Sequence, residues 1–291
     1  MATSTVVTYP IVAAIVASER FLGRDREWTP TNELQQRFLA EFFAPCRNEI
    51  GGIPEIESTA SRSAGDIASF LRERGFSILP GPLGHDEFGV ASVLDLLVKW
   101  LHEGIVTQVV TPDNRAFPGV RIAGDGVSFY RGGRHTSDIA CLHTQSGDAV
   151  FLTMIEQPPT GFDLVALAQE LESDPKPSSD YAGVQFPMVN LDHSVDISWL
   201  VGLRTTASDG SPMLIAQALQ QTKLKVNEKG ARVESAVMLP VAAAWPPPKE
   251  KPDLIINKPF LMWISRERLS RPLFVGFIEE DVWQNPGDLT A

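Results

Sequence analysis

Few side chains in this sequence stand where they could do chemistry together. His135 and His143 flank Asp138, residue types suited to ligating a metal or to general-base work with an orienting carboxylate. They border a run rich in β-branched residues and read more simply as strand histidines. Asp192-His193-Ser194 puts the residue types of a nucleophilic triad side by side. A triad is assembled from separated segments, and neighbours on a strand point to opposite faces, so this stretch reads as a loop. His102-Glu103 lacks the second histidine, four residues on, that a zinc-protease helix needs. No G-x-S-x-G elbow, phosphate-binding loop or dinucleotide fingerprint occurs. Cys46 and Cys141 are too few for a disulfide framework or a four-ligand zinc site. They read as buried free thiols, with a bridge between them as the alternative. No catalytic residue, metal ligand or cofactor is assigned.

The elements that would position any site follow from composition and periodicity. The chain has 291 residues, enough for a sizeable core in one domain spanning 1–291. Its net charge of −11 argues against a nucleic-acid surface, because affinity for phosphates is largely cationic. No apolar run approaches the roughly 20 residues that span a bilayer. The short apolar run 11–17 has no positive charge ahead of it, which argues against a secretory signal. The expectation is a cytoplasmic monomer without membrane association, with leaderless export as the alternative.

The first half reads as mainly helical. Thr29-Pro30 opens a helix with Leu34, Phe38, Leu39, Phe42 and Phe43 on one face, and Pro45 stops it. Residues 49–61 and 78–88 read as loops from their Gly, Pro and Ser content. Ser63 starts a second helix, with Ile67, Phe70 and Leu71 inward and Gly75 ending it. Val90, Val93, Leu94, Leu97, Trp100 and Leu101 have helical spacing and predict a third.

The second half changes period. Residues 127–130, 139–143 and 149–155 are short β-branched or aromatic runs separated by turn residues. Residues 162–171 return to helix. Residues 184–191 and 213–226 read as strands, and 260–264 with 273–278 as a final hairpin. Helices first and strands later give α+β. The six tryptophans are scattered; five read as core or core-edge residues.

One segment, 231–255, fits neither period. It holds five prolines and also Trp245, the sixth tryptophan. Loops of this length are uncommon inside a compact domain. Too little chain follows it to make a second domain, since 258–278 is a single hairpin. The segment is therefore an excursion from one fold.

Two stretches near the end resemble the serpins. Residues 213–230, MLIAQALQQTKLKVNEKG, resemble the fifth strand of that family's central sheet and its V-N-E-x-G hinge, matched by Val226-Asn227-Glu228-Lys229-Gly230. Residues 257–276 are similar to the family's C-terminal hairpin, through Lys258-Pro259-Phe260 and Leu273-Phe274-Val275-Gly276. The excursion lies between them, where the family carries its reactive-centre loop. Similarity extends more weakly upstream: 149–158 with 162–171 resemble a strand and its following helix, and 184–203 the next strand and helix. Residues 97–105 resemble the family's tryptophan-bearing helix through Trp100 and Leu101. No segment matches the central strand that normally follows that helix. The family's fifth-strand histidine falls at Gln220, and its hinge threonine at Ala231.

The resemblance implies a serpin-like α+β fold, with a helical N-terminal part, large mixed or antiparallel sheets and an exposed reactive-centre loop. It implies a protein without catalysis of its own, whose loop a serine protease cleaves and which then traps that protease by inserting the cut loop as a new central strand. Glu228, Gly230, Ala231 and Val233 are the hinge positions. From Ala231 the alternate set Ala231, Val233, Ser235, Val237 and Leu239 is small or apolar, while Arg232 and Glu234 fall on the other face. Pro240 marks the far limit of a ladder. The family's spacing places the scissile bond near Ala244-Trp245. The small residues 241–244 suit the shallow pocket of an elastase-like or subtilisin-like protease. The alternative is a non-inhibitory protein of the same fold, acting as a binding module or chaperone.

Overall fold

A computed structural model of the chain describes residues 3–23, 26–76, 80–84, 86–94, 96, 98–132, 137–231 and 251–289. Helix α1 (Thr8–Leu22) follows strand β1 (Ser4–Val6), and Tyr9, Val12 and Ile15 on it are fully buried. Helix α2 (Glu33–Phe38) starts at Asn32, whose side chain accepts from the Gln35 N–H at 2.8 Å. Its start is thus three residues beyond Pro30. Pro45 does not stop it, either. A π turn over Leu39–Phe43 carries the helix into α3 (Ala44–Cys46). The wider turn leaves backbone positions that need no donor, and Pro45 fits one of them.

Strand β2 (Ile56–Ser61) lies where a loop was expected. It is a small, polar strand at a sheet edge, so it carries no apolar alternation. Helix α4 (Ala64–Glu73) has Ser63 as its cap, Ile67 and Leu71 buried, and Gly75 beyond its end at φ 74°. The expected third helix is instead β3 (Glu87–Leu94) and β4 (Val98–Lys99). Residues 88–93 are buried on both faces, which removes the period-2 signal and leaves a run that any template fits. Gly89 marks the true state: α4 packs so closely that a Cβ there would meet Ile67 Cδ1 at 2.5 Å.

Strands β5 (Ile105–Val110) and β6 (Ala116–Ala123) occupy a stretch to which periodicity assigned nothing. Then come β7 (Val127–Gly132), β8 (Asp138–His143), β9 (Ala149–Met154), helix α5 (Phe162–Ser173), β10 (Pro175–Ser178), β11 (Gly183–Pro187), β12 (Val189–Val195) and β13 (Arg204–Thr206). The long strand β14 (Pro212–Val226) leads to β15 (Gly230–Ala231). After the excursion come β16 (Asp253–Ile255), β17 (Phe260–Ser265) and β18 (Phe274–Ile278).

Four sheets form among the described residues, the smallest being β15 paired with β4. A seven-stranded sheet runs β1-β18-β17-β9-β8-β7-β10, and a four-stranded sheet runs β16-β11-β6-β5. The central sheet runs β12-β14-β3-β2, with β13 also on β14. The pairing β14–β3 is parallel and all the other pairs in that sheet are antiparallel. The place beside β14, for which no sequence match was found, is thus filled by β3. Apolar side chains pack in one cluster around α1, α2 and α5, and in a second that includes Val98, Trp100, Phe186, Phe260 and Trp283. The β17–β18 turn is pinned by charge: Arg266 bonds Asp148 at 2.7 Å and Glu55 at 2.6 Å, and Glu49 accepts from Tyr9 and Ser270.

Candidate functional site

The V-N-E-x-G hinge is a tight turn held from three sides. The Asn227 N–H donates to Gly230 O at 2.9 Å, and Lys229 N–H donates to Asn227 Oδ1 at 2.9 Å. The buried Asn227 donates its side-chain amide to Gly287 O at 3.2 Å. The indole N–H of Trp100, itself 1% exposed, donates to Asn227 O at 2.9 Å. The Gly104 N–H donates to Glu228 O at 2.7 Å. Trp100 therefore sits in extended chain that anchors the hinge, and the likeness of 97–105 to a helix is corrected. Sequence reasoning left Trp100 as generic core, because nothing local ties it to a turn 127 residues away.

Beyond the turn, Gly230 and Ala231 run antiparallel to β4, with Gly230 opposite Lys99 and Ala231 opposite Val98. Gly230 has φ 148°, and a Cβ there would meet Val98 O at 2.3 Å. Only glycine lets the hinge lie this close to β4. Gly230 also bridges Asn227, the residue after β14. The two hinge residues thus lie between the end of β14 and β4, which continues β3.

Below them the central sheet is parted. β14 and β3 pair only from Leu214↔Glu87 to Leu219↔Ala91. From 220 to 226, β14 pairs among the described residues with β12 alone. Among the described residues, 220–226 of β14 and 92–94 and 96 of the facing chain have no partner across this gap; the seven residues of β14 span about 23 Å at roughly 3.3 Å per residue. A narrow cleft of about 40 Å3, partly open to solvent, lies there, lined by Ser92, Leu94, Leu96, Gln220, Thr222 and Leu224 among others. Gln220 is 4% exposed. Its amide donates to Val7 O, and its Oε1 is buried without a donor among the described residues. No sequence signal marked this acceptor.

The far end of the excursion is anchored on another sheet. β16 pairs in parallel with β11, and Asp253 accepts from Arg121 at 2.6 and 3.0 Å and from Gln185 at 2.9 Å. Hydrogen bonding by Arg121 holds the Asp253 carboxyl below its ordinary value. Ala231 and 253–255 are therefore strand residues, and the excursion is shorter at both ends than its composition indicated. Of the residues expected at the hinge, Glu228, Gly230 and Ala231 lie in succession in the turn and in β15. Val233, Ala244 and Trp245 lie outside the described residues.

The other chemical candidates do not assemble. Asp138 accepts from Tyr181 and Arg131, at the opposite end of β8 from His143, which bonds Ser128 at 2.7 Å. His135 lies outside the described residues. Asp192-His193-Ser194 is not a loop but part of β12, in register with Lys223, Thr222 and Gln221. His102 faces Asp125 at the surface, 2.9 Å away. Among the described residues no group of three potential metal ligands forms. Cys46 and Cys141 are free and buried; burial pushes their thiols up to about 11 and about 12. No helix among the described residues is long and apolar enough to cross a membrane.

Residues 191–280 match the family model of the serpins, serine protease inhibitors. Solved structures agree over nearly the whole chain. A serpin from Schistosoma mansoni aligns over 96% of this chain and 95% of its own at TM-score 0.62 and 10% identity. Serpin48, a highly specific serpin of the insect Tenebrio molitor, aligns over 96% and 92% at TM-score 0.57 and 13% identity. Tengpin, a thermophilic serpin in its native state, aligns over 96% and 88% at TM-score 0.61 and 10% identity. The chain has the serpin fold.

Proposed function

We propose that this serpin-fold chain presents residues 232–252 as bait to a serine protease with a small apolar specificity pocket, and traps it by drawing the cut loop into the central sheet. The observation that carries the reading is the parted sheet with the hinge at its mouth. Extending the pairing Ala231↔Val98 downward, and the bridge Asn227↔Gly230 likewise, gives two independent registers. Both set residue 238 level with the last closed rung, Leu219↔Ala91. In that register, insertion of 232–237 would break no β14–β3 rung, although the cleft would have to widen, and Pro240 would fall just past the last closed rung.

The facing follows from the same register. The register partner of Ala231, Val98, is fully buried. Val233, Ser235 and Val237 would then point into the core, and Arg232 and Glu234 outward. Burying each valine contributes on the order of 1.5–3 kcal/mol, and a ladder on both edges adds to it. Val237 would lie beside Gln220, and a strand here brings backbone donors near its lone Oε1.

The test is to mix the protein with elastase or subtilisin and look for an adduct that survives SDS. A second reading, a non-inhibitory protein of the same fold, draws on the closed rungs from Leu214 to Leu219 and on the two hinge charges. Loop cleavage without any adduct would favour it.

A further inference from the structure

Strand β5 is an edge: the four-stranded sheet ends on it, opposite β16. Its sequence is Ile-Val-Thr-Gln-Val-Val, without a charge, proline or bulge. Ile105, Val106 and Val110 are 64%, 61% and 45% exposed. Natural edge strands usually carry lysine, proline or a bulge to prevent pairing, and this one carries none of them. The Thr111 N–H bonds Arg115 O across the β5–β6 hairpin, so by alternation Val106, Gln108 and Val110 turn their backbone groups away from β6. Among the described residues the Val110 carbonyl accepts only from the amide of the half-buried Asn257, at 3.2 Å.

We propose that this edge joins two copies of the chain by antiparallel β5–β5 pairing about a two-fold axis at Gln108. The occupant is argued from self-complementarity. The three residues with outward backbone groups read Val-Gln-Val and are symmetric about Gln108. A second copy turned about that point sets Val106 against its Val110 and Gln108 against its Gln108. Both valine pairs cover apolar surface that the monomer leaves in water. No charged side chain lies within either six-residue strand. The dimer extends the sheet to eight strands and leaves both β16 edges, where the excursions return, at its far ends. The expected monomer is thus the dilute state of a weak dimer.

One two-fold interface of this size falls in the class below roughly 1,200 Å2, which associates weakly. Sedimentation equilibrium of the intact protein from about 1 to about 100 µM, near 0.15 M salt to screen the charge of −11, should show a monomer–dimer transition. Val106→Lys should abolish it. Leu34→Lys, at a 47% exposed position on α2, should leave it unchanged. Gln108→Cys should give a spontaneous disulfide dimer, because a directly opposed pair sits about 5.5 Å apart at Cα, within disulfide reach. Thr107→Cys should not, since its mate lies two rungs away. A protein monomeric throughout the range overturns the proposal. So does a dimer that survives Val106→Lys, or a cross-link at 107 in place of 108.

Discussion

Val233→Asp and Glu234→Lys differ by one position and should behave in opposite ways. In the proposed inserted form, with the register extended from Ala231↔Val98 and Asn227↔Gly230, residue 233 would fall between Leu96 and Leu224, both of which line the cleft. An aspartate there loses the burial of a valine, roughly 1.5–3 kcal/mol. It also places a carboxylate between two leucines with no cation in line, a further cost of several kcal/mol. A total of about 4 kcal/mol or more depresses the inserted form about a thousandfold, at 1.4 kcal/mol per tenfold. Residue 234 would fall opposite Lys223, whose side chain is 40% exposed. Glu234→Lys there exchanges an attraction for a repulsion in solvent, worth about 0.5 kcal/mol. Neither change touches 241–245, so cleavage proceeds in both. The assay is the stoichiometry of inhibition against elastase or subtilisin, with SDS gels for the adduct. Val233→Asp should be cut as a plain substrate, and Glu234→Lys should trap nearly as the parent does. Equal behaviour of the two would refute the face assignment and the insertion built on it.

Limited elastase digestion should cut first within 242–245, leave the fragments associated and raise the midpoint of thermal unfolding; a first cut in 49–61, which holds β2, would refute this. Gly230→Ala cannot keep the hinge on β4, so the intact protein should lose about 2 kcal/mol of stability, a fall of roughly 4–8 °C, and nicking should no longer raise its midpoint. Acid should destabilise the fold, because Arg266 holds Glu55, and Arg121 holds Asp253, below their ordinary values of 4.5 and 3.8. With folded values depressed, that stability is complete above the ordinary values and is lost as pH falls through the folded ones. Arg266→Gln should flatten this acid limb in a melting series, and should cost about 3 kcal/mol at neutral pH by leaving the buried Asp148 uncompensated.

The β-rich half was legible because its strands obey local rules. β7, β8 and β9 are bounded by turn residues, and β14 and the final hairpin carry motifs. The misread elements are those whose environment is set from afar. β3 is covered on both faces, so its apolar run has no period to read, and β2 is an edge whose polar residues imitate a loop. The same division holds at the site. Glu228, Gly230 and Ala231 were visible in a motif, whereas Trp100 and Gln220 matter through partners far along the chain. Trp100 lies 127 residues from Asn227, and Gln220 lies 213 from Val7.

The closed rungs below the cleft give the proposed trap a clock. In the proposed insertion, residues 232–237 would lie above the closed rungs, and any further travel would have to unzip β14 from β3, one rung at a time. That ladder has a built-in weak point, a register shift between Ile215 and Gln217. In the proposed mechanism, a cut by the protease would start a race between its release by water and the advance of the strand through the remaining rungs. The partition between substrate and inhibitor is then a ratio of rates, not a property of the loop alone. Loosening the shifted rung speeds the advance and lowers the stability of the uncut protein at the same stroke. Efficient trapping and a robust resting state therefore pull this short ladder in opposite directions.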